Sequence, residues 1–313
     1  MKLIPRHSNR RVPARIMSRP WEPEFDVTIE LAENLINRQF PELRGMPVTA
    51  FSQGWDNTAF LVNTNLVFRF PHRQLGAECM DHEIQMLPQL APHLNYSITN
   101  PHWTGRPSSD YPWSFAGYPL IPGQHVVETK LPPAARTGLA AALGKFLHDL
   151  HSLAGIRGPG DLIGRLDMLK RQQQIRKNLD YLQLHNVLPD PQPWRELLHD
   201  LCLLQPTTDC VPLHGDLYSL HVLLDDQQQL AGIIDWGDTH LGHPAIDLSI
   251  AWIMLPGECH EAFKQAYGII SDDTWQLARF RAFYHALNLA KYAEEIQHPV
   301  LLQESLFAIQ NVL

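Results

Sequence analysis

No stretch of the chain approaches the eighteen or so consecutive apolar residues that a membrane-spanning helix needs, so no such span is expected. Cysteine is scarce: Cys79, Cys202, Cys210 and Cys259 stand far apart and form no Cys-x-x-Cys pair. That usage argues against a disulfide scaffold or a zinc site and fits reduced thiols in a cytoplasmic protein. Basic residues are few where nucleic acid would need them. From Asp209 to the C-terminus fourteen Asp or Glu stand against four Lys or Arg, which gives a phosphate backbone no positive face. Such a balance suits a cationic small molecule, although an ordinary solvated acidic surface produces the same count. Neither a Walker A sequence nor a GxGxxG loop occurs, and the glycines at 155, 158, 160 and 164 follow a helix rather than a strand. That context argues against a dinucleotide site. Internal repeats, heptad runs and low-complexity segments are also missing.

What is present is a chain of 313 residues, long enough for one large domain or two packed lobes. Residues 1–21 carry six Lys or Arg and no acid. They contain no apolar segment of the secretory kind, and Pro5, Pro13 and Pro20 interrupt any amphipathic helix. Residues 1–25 therefore read as a basic, loosely docked arm.

Beyond the arm, residues 26–40 have a helical pattern with Asp26 as N-cap and Pro41 past the end. Strand-like pieces follow at Pro47 to Phe51, Thr58 to Asn63 and Leu66 to Phe70, with Asn63-Thr-Asn65 as a hairpin turn. A helix over Gly76 to Leu90 carries Met80, Ile84, Leu87 and Leu90 on one face, and two more strands are expected within 95–104 and 112–121. Strands with one embedded helix make a small α+β lobe over 26–117. The Gly/Pro punctuation of 118–123 marks a connector. Past it, Leu139, Leu143, Phe146, Leu147, Leu150 and Leu153 fall at helical spacing. Further helices are expected at 161–184, 191–205, 245–255, 258–267, 272–296 and 299–312, making 124–313 a larger, mainly helical lobe.

Two segments interrupt these helices. One is His214-Gly-Asp-Leu-Tyr-Ser-Leu-His221; the other is Ile233-Ile-Asp-Trp-Gly237. Apolar runs bracket both, so Asp216, His221 and Asp235 stand at the ends of short buried strands. Two carboxylates and an imidazole held in this way match what metal-assisted phosphoryl transfer needs: one group for the attacking hydroxyl, the others for a cation on the nucleotide phosphates. Carboxylates that merely cap turns are the structural alternative.

These segments, with Ser52-Gln-Gly-Trp-Asp-Asn-Thr58 and Val67-Phe-Arg-Phe-Pro71 upstream, resemble the aminoglycoside/macrolide phosphotransferase family, which has a bilobal protein-kinase-like fold. The resemblance covers about residues 26–313. It implies a small β-rich N-terminal lobe, a larger helical C-terminal lobe, and transfer of the γ-phosphoryl of ATP or GTP to a hydroxyl of a small molecule such as an aminoglycoside or a macrolide. It places Asp216 as the catalytic Asp and Asp235 as a ligand of Mg2+. His221 stands where most members have Asn; the macrolide and 2''-aminoglycoside kinases look similar there, so His221 is expected to share the metal with Asp235. A nitrogen suits a hard cation less well than an oxygen. Gly54 lies in the loop expected to cover the phosphates, and Arg69 takes the place of the nucleotide-binding Lys, with Glu83 fourteen residues later placed to hold it. A guanidinium stays charged and can grip phosphate oxygens in pairs, so the change is compatible with nucleotide binding. Alone, the Gly54 segment is an ordinary hairpin turn and Glu83 an ordinary solvated acid. At 118–123 the resemblance makes Tyr118 the gatekeeper, with Pro119 and Ile121 as hinge residues facing a purine; proline lacks N–H but keeps its carbonyl.

Asp247 matches a second family Asp and is expected to bond backbone N–H groups near the 214–221 loop; His243 replaces an Asp of that motif. His148 and His151 sit at i, i+3 without further ligands nearby in sequence, which argues against zinc. Trp252, Trp275, Tyr284 and Tyr292 read as core rather than as sugar-stacking platforms. The acceptor is expected against the helices after Asp235 and those of 160–205. Other readings remain beside this one. Arg69 and His221 motivate a nucleotide-binding pseudokinase or regulatory module, and a metabolite kinase unrelated to resistance has the same motifs. A protein kinase is disfavoured because no Ala-Pro-Glu follows Asp235.

Overall fold

The computed structural model describes residues 23–129 and 131–313. The basic arm expected over 1–25 falls, up to residue 22, outside them. The first helix, α1 (Ile29–Gln39), begins later than expected: Thr28, not Asp26, is its N-cap and accepts from the Leu31 N–H at 3.2 Å. Val27 is buried in the apolar cluster beneath the neighbouring sheet, which keeps the backbone extended past Asp26.

Strands β1 (Val48–Gln53), β2 (Asn57–Val62) and β3 (Leu66–Pro71) form an antiparallel meander. Asn63 makes the β2–β3 turn with φ +57°, a conformation that Asn tolerates better than most residues. Helix α2 (Gln74–Leu90) follows, then β4 (Ser97–Ile98), β5 (Trp103–Gly105) and β6 (Phe115–Pro119). The first sheet runs β1-β2-β3-β6-β5. Phe60, Phe68, Phe70, Tyr111 and Phe115 fill its inner face, with Phe70 and Phe115 stacked at 4.4 Å. The Phe68 ring leaves no room at Gly117, where a Cβ would lie 2.3 Å from it.

The expectation of one strand within 95–104 belonging to the first lobe needs correction. Two strands lie there, and β4 does not join the first sheet; it pairs in parallel with β10 (Leu230–Ile233) of the later region. Ile98, buried among the apolar residues of that region, draws the strand across. On α2 the buried stripe runs through Met80, Glu83, Met86, Leu87 and Leu90, and Ile84 is only partly covered. A fully buried Glu83 within that stripe is the first structural sign of a site.

After β6 the chain forms β7 (Gln124–His125), α3 (Thr137–His151), α4 (Met168–Leu184), α5 (Gln192–Leu201), β8 (Val211–Leu213) and β9 (Val222–Leu224). Strand β10 follows, then β11 (His240–Gly242), α6 (Ala245–Met254), α7 (His260–Tyr267), α8 (Asp272–Glu295) and α9 (Pro299–Asn311). Two of the expected helices are shorter. Residues 161–167 are a loop, because Asp167 caps α4 by accepting from the Lys170 N–H at 3.0 Å, and α5 stops at Leu201. A four-stranded sheet ordered β4-β10-β9-β7 and the β11-β8 ribbon present the loops between them at one place. The predicted apolar face of α3 is buried from Leu139 to Leu150. Helix α8, about 36 Å long at 1.5 Å per residue, runs through the centre of the helical region and packs against α4, α6 and α9. Among the described residues no helix is long and apolar enough to cross a membrane.

Candidate active site

The β8–β9 loop, residues 214–221, is held by its own backbone and by one buried acid. Asp247, in the first turn of α6, is wholly buried and accepts from the backbone N–H of His214 at 2.7 Å and of Gly215 at 2.8 Å. His151 approaches the same carboxylate at 3.4 Å. Burial alone would raise the Asp247 carboxyl, but these donors bring it below its ordinary value. His151 turns its other ring nitrogen to the Tyr267 hydroxyl at 2.9 Å, and His148 meets the Tyr267 carbonyl at 2.7 Å, so both of these histidines serve packing between α3 and α7. His243 does the work of a cap: its Nδ1 accepts from the Ala245 N–H at 3.2 Å.

Gly215 has φ +89°, and a Cβ there would lie 2.2 Å from the Asp238 carbonyl oxygen, so only glycine fits. His214 donates through Nε2 to the Ile234 carbonyl at 2.9 Å, which leaves Nδ1 to accept from the Asp216 N–H at 3.3 Å. The neutral ring satisfies both partners, and burial lowers its pKa accordingly. The loop closes when His221 Nδ1–H donates to the Asp216 carbonyl at 2.7 Å. That bond aims His221 Nε2 away from the loop and toward Asp235 Oδ2, 3.2 Å distant.

Asp235 follows β10 with φ +62°, a strained backbone for a residue other than glycine. Its second oxygen, Oδ1, takes a bond from Arg69 Nη2 at 2.7 Å, although the two residues are 166 positions apart. Arg69 Nη1 lies 3.1 Å from both oxygens of Glu83. Desolvation opposes the charge on each of these groups, yet their mutual attraction holds Arg69 firmly protonated and Asp235 far below the ordinary carboxylate range. Glu83, the most deeply buried, is raised by that burial despite Arg69. Tyr118, also buried, points its hydroxyl to Met80 Sδ at 3.5 Å behind this cluster. Pro119 ends β6 exposed, Leu120 donates to the Asn65 carbonyl at 2.7 Å, and Ile121 packs over Gly232 of β10. Gly54 sits in the β1–β2 turn, its N–H on the Asn57 carbonyl at 2.9 Å, and a Cβ there would meet nothing closer than 3.8 Å. Protein packing does not demand that glycine.

The structure thus brings Arg69, Glu83, Asp235 and His221 into one connected chain, with Asp216 on the same loop as His221. Gly54, Tyr118, Pro119 and Ile121 lie on the surrounding turn and connector. Asp235 could offer an oxygen and His221 a nitrogen to a divalent cation, the oxygen being the better donor for a hard ion. Among the described residues no cluster of three or more His, Cys, Asp or Glu able to hold a metal occurs.

Several residues here carried no sequence signal strong enough to select them. Arg165, in the loop read as helix, donates through Nε to the Gly215 carbonyl at 3.1 Å and through Nη1 to Asp161 at 2.8 Å, and pairs with Asp238. Burial and the nearby Asp216 push the Asp238 carboxyl up to about 6. Arg281 and His285 of α8 face Asp216 Oδ1 at 3.6 and 3.5 Å. Trp55, beside Gly54, meets the Tyr292 ring of α8 edge-on at 4.8 Å, so Tyr292 touches the first-lobe turn rather than the core it was expected to join. Trp275, Trp252 and Tyr284 do pack on that core. The Asp235-x-x-Asp238 and Asp161-x-x-x-Arg165 spacings are the only hints of these residues in the sequence.

The chain matches the model of the phosphotransferase enzyme family over residues 47–283. An aminoglycoside 3'-phosphotransferase of Salmonella typhimurium is 31% identical over 149 residues, 45% of this chain and 53% of that protein. A counterpart from Escherichia coli matches to the same extent. The chain therefore spans about half the length of the curated relatives it matches. Among solved structures, the GDP and kanamycin complex of APH(2")-IIia superposes with a TM-score of 0.64 at 23% identity, covering 90% of this chain and 97% of that one. The macrolide 2'-phosphotransferase MphH from Brachybacterium faecium gives 0.56 at 20% identity over 90% and 98%. The bilobal fold of these proteins is the fold described above. With its loop, its connected cations and carboxylates, and the family match across most of its length, the chain belongs to the phosphotransferase enzyme family.

Proposed function

We propose that this protein is a cytoplasmic small-molecule kinase that transfers the γ-phosphoryl group of ATP or GTP to a hydroxyl of an aminoglycoside or macrolide. The observation that carries this reading is the bond of Arg69 to both Glu83 and Asp235. It ties a cation of the first sheet to a carboxylate of the second region, across the gap where nucleotide phosphates would lie. The relatives are aminoglycoside phosphotransferases, and the similar structures include complexes with GDP and kanamycin and with gentamicin.

In this reading residues 26–117, apart from β4, and 124–313 are the two lobes, and Tyr118, Pro119 and Ile121 in the 118–123 hinge face the purine. The turn containing Gly54 covers the phosphates, its open side leaving room for them. Arg69, oriented by Glu83, neutralises phosphate charge. His221 and Asp235 would hold Mg2+, which when bound spreads the negative charge of the β- and γ-phosphates. Asp216 orients the acceptor hydroxyl and receives its proton as the oxygen bonds to the γ-phosphorus and the bond to the β–γ bridging oxygen breaks. Burial would hinder ionisation of Asp216, but His285, His221 and Arg281 together bring its carboxyl below the ordinary value, so it is ready to accept at neutral pH. The acceptor lies against α8 and the 161–167 loop.

Phosphorylation of kanamycin, gentamicin, streptomycin, a macrolide and simple hydroxylated metabolites with MgATP and MgGTP tests the reading. Transfer to at least one acceptor is expected. Nucleotide binding without turnover across the panel would instead make the chain a non-catalytic nucleotide-binding module. Asp235→Ala should raise the magnesium concentration needed for half-maximal rate by at least about 10-fold, the low end of the cost of disturbing a metal site. A magnesium titration that superimposes on that of the unmodified enzyme would remove Asp235 from the metal.

A further inference from the structure

The loop that presents Asp216 anchors its backbone but not its carboxylate. The N–H is taken by His214 and the carbonyl by His221. The groups in ion-pair reach of the carboxylate are Arg281 Nη2 at 3.6 Å and His285 Nδ1 at 3.5 Å, both from α8. They are four residues apart, one helical turn, and so share a face. Both address the same oxygen, Oδ1. For both groups Oδ1 is the nearest carboxylate oxygen, no hydrogen bond to the carboxylate occurs among the described residues, and the Asp216 side chain keeps 31% of its surface exposed.

Neither α8 residue is spent elsewhere on a second charge. Arg281 is buried, its Nε finds no hydrogen-bond partner, and its guanidinium otherwise lies over the Tyr284 ring. A desolvated guanidinium is costly unless a carboxylate answers it, and Asp216 is the acid in ion-pair contact with it. His285 is buried as well, and burial pushes its pKa down to about 4, so it meets Asp216 as a neutral ring. With Nδ1 toward a carboxylate oxygen, that nitrogen carries the proton, and Nε2 is left buried without a partner. One group brings charge and the other a directed dipole to the same oxygen. Arg165, the other cation near this loop, is already committed to Asp161, Asp238 and the Gly215 carbonyl, and Arg69 to Glu83 and Asp235.

We propose that Arg281 and His285 are positioning residues that clamp Oδ1 of Asp216, so that Oδ2 faces the acceptor hydroxyl. The assignment rests on Asp216 being the group that receives the hydroxyl proton. The clamp comes from the central helix rather than from the loop itself, so the carboxylate rotamer is set by the packing of α8 beside the 214–221 loop. Both contacts are longer than ordinary hydrogen bonds, so they orient the carboxylate without occupying it as tightly as a direct hydrogen bond would.

Hydrolysis of MgATP and MgGTP, with water as the acceptor, tests this without choosing an acceptor. Arg281→Met should lower kcat about 10- to 100-fold, the scale seen when a group orienting a functional side chain is removed, with the KM for nucleotide changed less than about 3-fold. Arg281→Lys should recover part of the loss, since an ammonium keeps the charge without the fork. In an Asp216→Asn background, Arg281→Met should add little further loss, because residues that act through one another are not additive. His285→Gln, which keeps a donor of similar reach, should fall between the unmodified enzyme and His285→Phe. An unchanged kcat, a rise in KM alone, or additive losses in the double variant would each overturn the clamp. If Arg281→Met does not fold, the Lys and His285 variants carry the same comparison. Wild-type rates from Asp216→Asn would instead overturn the assignment of Asp216; an impaired Asp216→Asn beside an intact Arg281→Met would overturn only the clamp.

Discussion

Replacing Asp216 with Asn should lower kcat by about 10²–10⁴, the usual contribution of a positioned general base, while leaving the fold intact. Asn matches Asp in shape, and the backbone of residue 216 is held by His214 and His221 whatever its side chain. The carboxylate makes no hydrogen bond within the protein among the described residues, and the oxygen that Asn retains can still face the Arg281 and His285 donors. What disappears is the negative charge that, in the proposed function, receives the hydroxyl proton, and with it the counter-charge for Arg281. Steady-state phosphoryl transfer measured beside thermal unfolding separates the two effects. A loss smaller than tenfold would show that the side chain orients the acceptor without accepting its proton.

Asp247→Ala should act in the opposite way, on stability first. Its carboxylate is fully buried and satisfies two backbone N–H groups and the His151 ring. Each buried donor left without an acceptor costs about 1–3 kcal/mol, so a loss of about 3–5 kcal/mol is expected, as when one partner of a buried pair is removed. The 214–221 loop would lose its anchor at His214 and Gly215, and activity should fall with it. Urea unfolding of both proteins gives the difference directly; a change below about 1 kcal/mol would show that water takes over the carboxylate's role. The folded-state carboxyl lies below its ordinary value. Its stabilisation is therefore complete above the unfolded value near 3.9 and is lost as pH falls through the lower folded value. The gap between wild type and variant should accordingly narrow below about pH 4.

Much of the architecture was legible in the chain because helices and strands announce themselves by local period. The apolar face of α3, the strands around Phe60 and Phe70, and the placement of α6 to α9 all follow from patterns within a single window. Where the fold departs from the local pattern, a distant contact outweighs a local preference. Asp26 and Thr28 are both sound N-caps, and burial of Val27 decided between them. The 161–167 segment reads as helix, yet Arg165 is drawn to Gly215 and Asp238, 50 and 73 residues away. Strand β4 follows the first lobe in sequence and pairs with the second because Ile98 finds its core there.

The same division holds at the site. Asp216, His221 and Asp235 stand out in the sequence as polar groups at the ends of buried strands, and the structure sets His221 Nε2 3.2 Å from Asp235 Oδ2. Arg69 and Glu83 can be paired by their spacing on a strand and the following helix, and the structure joins them at 3.1 Å. Arg281 and His285 could not be chosen. They sit in a long helix whose pattern resembles that of any central helix, and only its passage beside the β8–β9 loop gives them a carboxylate to face. The order of residues sets the chemistry available: which acids, imidazoles and cations stand at strand ends. Tertiary structure alone decided which oxygen each of them addresses, because distance and direction between elements far apart in the chain are set by packing and not by local propensity.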